Sequence, residues 1–118
     1  MVRHIRVRMG QERATKLLRE WSDKKRKVAL GIVVGRKFSI TFTEGRLEQL
    51  GNIGIFQYIA SGVCIMVPPG NFKCWEREET NDFEYLIFSD PEGEDRMIVM
   101  RLKENGPFPA TELSRWPN

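Results

Sequence analysis

Few side chains in this sequence can do nucleophilic, acid–base or metal chemistry, and their spacing argues against most of it. The only histidine is His4, so a Ser-His or Cys-His nucleophile pair would depend on the terminal segment most prone to fraying. Cys64 and Cys74 flank a turn at Pro68 to Asn71, and the loop length decides whether they meet. With one histidine between them they make no zinc site, and they read as reduced, buried thiols. Gly31, Gly35, Arg36 and Lys37 have the flavour of a phosphate loop. The spacing is one residue short, however, and Phe38 stands where Ser or Thr is needed. Asp90, Glu92, Glu94 and Asp95 suggest a calcium loop, yet Arg101 occupies the position of the bidentate glutamate. Glu76, Glu78, Glu79, Asp82 and Glu84 crowd one stretch and have the chemistry for a divalent cation or an acid–base pair. Arg77 interrupts them, and they read as a solvated acidic connection. No catalytic residue, metal site or cofactor is expected, and the chain reads as a non-enzymatic binding domain.

Charge is the more informative feature. Residues 1–46 hold 13 Lys/Arg against 4 Asp/Glu, whereas residues 47–118 hold 6 against 12, so a mild net charge of +3 conceals segments of +9 and −6. Such polarity suits a polyanionic partner or electrostatic association. The residues proposed to contact nucleic acid are Arg13, Lys16, Arg19, Lys24, Lys25, Arg26, Lys27, Arg36, Lys37 and Lys73, with Trp75 offering a stacking surface and Arg6, Arg8, Phe72 and Tyr58 nearby. The alternative is a protein-interaction module that self-associates through its basic and acidic patches. A small-molecule pocket inside the fold ranks last.

These side chains must be positioned by a mainly β fold. Ala14, Leu17, Leu18 and Trp21 follow helical spacing, predicting a basic amphipathic helix over residues 11–26. Before it, Ile5, Val7 and Met9 alternate with His4, Arg6 and Arg8, which predicts a short strand, with an extended helix start as the competing reading. After the helix the period changes to two, with Gly or Pro punctuation. Val28–Val34 reads as a strand buried on both sides. Lys37–Thr43 alternates Phe38, Ile40 and Phe42 inward, Glu44 and Gly45 make a turn, and Arg46–Leu50 is a weaker strand. Ile55–Ile59 and Gly62–Val67 are separate strands or one broken strand. Phe72–Arg77 leads into the acidic connection, and Phe83–Ser89 and Met97–Leu102 form a hairpin turned at Asp90 to Gly93. Pro107, Pro109 and Pro117 keep the tail from Glu104 from being regular throughout.

The expected architecture is one domain of 118 residues: a small antiparallel, strongly bent sheet or partly open barrel of about six or seven short strands with one N-terminal helix. No stretch approaches the roughly 20 apolar residues of a membrane helix, and the expected compartment is the cytoplasm.

Overall fold

The computed structural model describes residues 4–35, 38–80, 82–90 and 95–103. Its elements are β1 (His4–Met9), α1 (Gln11–Asp23), β2 (Lys27–Val34), β3 (Phe38–Leu50), β4 (Ile55–Ala60), β5 (Val63–Val67), a 3-10 turn at Pro69–Asn71, β6 (Cys74–Thr80), β7 (Phe83–Ser89) and β8 (Arg96–Leu102). The eight strands form one antiparallel sheet in the order β1-β6-β7-β8-β2-β3-β4-β5, with β1 and β5 as its open edges. This is the expected partly open barrel with a single N-terminal α-helix, and it contains more strands than the sequence suggested. His4–Met9 is a strand rather than a helix start, and β4 and β5 are separate strands joined at Ser61 and Gly62, where Gly62 takes a φ of 73°.

Inside the curl of the sheet, Ala14, Leu18 and Trp21 of α1 pack on Val28, Leu30, Leu47, Phe56, Tyr58, Val67, Leu86, Phe88, Met97 and Val99. Strands alternate faces, so Ala29, Phe83, Tyr85, Ile87, Ile98 and Met100 form a second buried cluster on the opposite side of β2, β7 and β8. Burial on both faces explains the near-continuous apolar runs of these three strands.

Three expectations are corrected. The Glu44–Gly45 turn does not exist: β3 runs unbroken through it for 13 residues. A β-bulge there opposes two residues of β3 to Ala29 of β2 and bends the strand. Gly45 is glycine because of close approach, since a Cβ would collide with the Tyr58 ring and lie 2.7 Å from the Ile59 carbonyl oxygen. Tyr58 passes over it to donate its hydroxyl to the Val28 carbonyl at 3.1 Å. Secondly, the acidic stretch is not a connection. Glu76, Glu78 and Glu79 lie within β6, Glu84 lies within β7, and only Asp82 sits between the strands. Thirdly, Phe38 and Ile40 share the face of the core-packed Phe42, as expected, but they are exposed rather than buried, because they lie on the part of β3 that β4 does not flank. The cysteines are free thiols but not the buried ones expected, since Cys64 is exposed and Cys74 half-buried. The Asp90–Gly93 turn beyond Asp90 and the tail from Glu104 lie outside the described residues.

Candidate functional site at the end of the helix

The helix ends earlier than its charge pattern implies, and the way it ends shapes the site. After Asp23, the Lys25 N–H bonds the Ser22 carbonyl at 3.0 Å and the Arg26 N–H bonds the Trp21 carbonyl at 3.1 Å. This pair of bonds is a Schellman motif, which normally places glycine at the left-handed position. Here Lys25 occupies it with a φ of 52°, the sole non-glycine with positive φ among the described residues. The motif reverses the chain, so alternate residues of the basic run point into two neighbouring depressions. Lys24 and Arg26 line one of about 140 Å³ together with Leu17, Glu20, Trp21, Arg77, Glu84 and Arg101. Lys25 and Lys27 line the other, of about 430 Å³, with Glu44, Gly45, Arg46, Ile59, Ala60 and Ser61.

The smaller depression is built on a buried ionic frame. Glu84 is 1% exposed and lies between two guanidinium groups. Arg101 donates Nε and Nη2 to its Oε1 at 2.8 and 2.6 Å, while Arg77 holds its Oε2. Arg77 also reaches Glu79 at 2.6 Å, and Lys103 binds Glu79 at 3.0 Å. Arg101 stacks over the Trp21 ring, 5.5 Å from its centroid. Register explains the gathering: Glu84 sits opposite Arg101 on β8 and opposite Glu79 on β6. A carboxylate deprived of water needs charged donors, and Glu84 and Glu79 together meet Arg77, Arg101 and Lys103, leaving this frame one positive charge in excess. With Lys24 and Arg26 added from the helix end, four cations face two carboxylates, Glu20 and Glu84. The lining of the depression thus holds more cations than carboxylates, with Arg77 and Arg101 already bound to Glu84.

The other sequence-predicted residues are dispersed. Arg13, Lys16 and Arg19 are exposed on α1, but Glu12, Glu20 and Asp23 share the same outward face, so the helix surface is mixed rather than basic. Lys27 pairs with Glu44 at 3.2 Å. Arg36 and Lys37 lie outside the described residues. Lys73 is exposed near the helix start, where Gly70 lies against Gln11, a helix length of about 20 Å from Lys24. Trp75 packs on the core and donates its indole N–H to the Pro69 carbonyl at 2.8 Å, and Phe72 packs against Phe88. Tyr58 is fully buried, and burial first, then the charge of Glu44, pushes its phenol up to about 12. Arg6 on β1 binds Glu76 on β6 at 2.6 Å, so the basic first strand docks against the acidic sixth.

Sequence reasoning missed Arg77, Arg101, Glu84 and Trp21 as partners. A signal existed: Glu84 is the lone charge in the apolar strand Phe83–Ser89, where an isolated carboxylate requires cationic company. Among the described residues no group of three or more His, Cys, Asp or Glu side chains is arranged to hold a metal ion. Comparison with family models, curated proteins and solved structures finds no match to this chain, so the functional reading rests on the site.

Proposed function

We propose that this protein is a nucleic-acid-binding module that captures backbone phosphates of RNA or single-stranded DNA at the end of α1. The observation that carries the reading is the convergence of Lys24, Arg26, Arg77 and Arg101, from three parts of the chain, on one depression beside a second lined by Lys25, Lys27 and Arg46. Lys24 and Lys25, which have no ion pair among the described residues, can each meet a phosphate oxygen from one of the two hollows, while Arg77 and Arg101, bound to Glu84, add to the positive field. Recessed sites favour a flexible single strand, whose phosphates can enter, over a duplex whose phosphates sit on a stiff cylinder. Lys25 adds support, since a lysine held where glycine is easier trades backbone comfort for a charge at this position. Self-association through opposite charge patches has less support, because Glu76, Glu79 and Glu84 already pair within the chain.

Fluorescence anisotropy with labelled single-stranded RNA and DNA, and a duplex control, across a salt series tests the reading. Capture of about four phosphates gives a slope near −3 in log K against log salt for single strands. Replacing Lys24, Lys25, Arg26 and Lys27 by Ala weakens binding at least about tenfold and flattens that slope. Lys73→Ala changes affinity less than about twofold, as expected for a residue at the far end of the helix. Absence of binding at low salt, or equal binding by the quadruple variant, overturns the proposal.

A further inference from the structure

Outside this site, the first half of β3 is an unguarded edge among the described residues. Residues 45–50 pair with β4, but among the described residues Phe38–Phe42 pair only with β2 and Thr43 and Glu44 lie in the bulge, leaving the outer edge of this stretch open. An open edge presents free N–H and C=O groups, and proteins usually blunt it with charge, proline or brevity. Phe38 to Thr43 has none of these. It is also apolar where it is exposed: Phe38 is 55% and Ile40 38% accessible, and Val34, directly across from Phe38, is 50% accessible on the same face.

We infer that this edge pairs with the same edge of a second copy of the chain, joining two sheets about a two-fold axis. The choice of occupant follows from the pattern Phe38-Ser39-Ile40-Thr41-Phe42, which reads alike in both directions in side-chain character. Antiparallel self-pairing centred on Ile40 sets Ile40 against its counterpart, Phe38 against Phe42, and Ser39 against Thr41. All the apolar residues then share one face and all the hydroxyls the other, and no like charges oppose each other. That is the self-complementarity a two-fold interface demands. The other open edges are guarded. Arg6 and Arg8 lie along β1, and β5 has only five residues and runs directly into Pro68 and Pro69.

Sedimentation and light scattering over a concentration series, at low and high salt, test this. The expected result is a dimer of twice the chain mass that persists at high salt, because main-chain bonds and apolar contacts hold it. Ile40→Lys, which puts two ammonium groups at the axis, gives a monomer with unchanged circular dichroism, while Met66→Lys on the β5 edge leaves the dimer intact. Ile40→Cys in a Cys64→Ser, Cys74→Ser background gives a disulfide-linked dimer on oxidation, which does not depend on the lysine variant folding. A wild-type monomer at all concentrations, a dimer that dissolves in salt, one that survives Ile40→Lys, or one lost in Met66→Lys overturns the inference.

Discussion

Lys25 is held in a conformation that costs an L-residue roughly 1 kcal/mol relative to glycine. Lys25→Gly is therefore expected to raise stability by about 1 kcal/mol in urea unfolding while lowering affinity for single-stranded nucleic acid, a trade that separates folding from binding. Glu84 shows the opposite dependence. Glu84→Gln leaves Arg77 and Arg101 facing each other without their shared carboxylate, and a loss of about 3 kcal/mol is expected from the unfolding midpoint. Tyr58 couples stability to pH. Its phenol is pushed to about 12 in the folded chain, against an ordinary 10.0, so the unfolded chain loses the proton first as pH rises. The stabilisation tied to the neutral phenol is complete below about pH 10 and disappears as pH climbs towards 12, a change of about 2 to 3 kcal/mol. Tyr58→Phe costs about 1 kcal/mol at neutral pH by removing the hydrogen bond to the Val28 carbonyl, and it should remove that alkaline decline. Unfolding midpoints of both proteins along an alkaline series check the sign.

Elements here are held by what they cover. The helix has no side-chain N-cap and a mixed outer face, so its stability comes from seating Ala14, Leu18 and Trp21 against the sheet. Leu18→Ala should cost about 3 kcal/mol, because the cavity left between helix and sheet cannot collapse onto a rigid strand surface. Differential scanning of the two proteins measures it. Strand β3 owes its length to Gly45, whose missing side chain lets Tyr58 cross the bulge. Gly45→Ala is expected to cost about 3 kcal/mol through overpacking, and Gly51→Ala, with open space around it but a φ of 56°, about 1 kcal/mol of backbone strain. Gly45 and Tyr58 also show what remained hidden in the sequence. Glu44-Gly45 carries the composition of a turn, and only the ring laid across it turns those residues into a bulge. Conversely, Ala14, Leu18 and Trp21 announced the buried helix face directly, because helical periodicity needs no knowledge of partners.

At the scale of the molecule, the contrast between basic and acidic segments is partly annulled by folding. Arg6 crosses to Glu76 and Arg46 to Glu48, whereas Arg77, Arg101 and Lys103 pair with Glu79 and Glu84 inside the acidic segment, and Lys24 and Lys25 have no ion pair among the described residues. Positive charge thus concentrates at the end of α1 rather than along the helix. The proposed binding site and the open edge of β3 use different residues, so their functions should separate. Ile40→Lys is expected to keep wild-type affinity for single-stranded RNA per chain within about twofold, and the variant with Ala at positions 24 to 27 is expected to remain dimeric. Anisotropy on the first and light scattering on the second check both halves of that statement.

The sequence alone determined the features that depend on near neighbours. One helix, a succession of antiparallel strands, a doubly buried strand at Val28–Val34, a hairpin strand at Phe83–Ser89, and a basic run closing the helix all follow from periodicity and composition within a few residues. Tertiary structure decided what depends on pairs far apart. It chose which carboxylates meet which cations, as with Arg6 and Glu76, 70 residues apart. It buried Glu84 between two arginines, divided the basic turn between two hollows, and left one half of β3 unpaired. The physical reason is that local pattern fixes which way a side chain points along its own element. Strand order and register then decide what stands opposite it, and a one-residue change in register would have put every one of these charges on the other face.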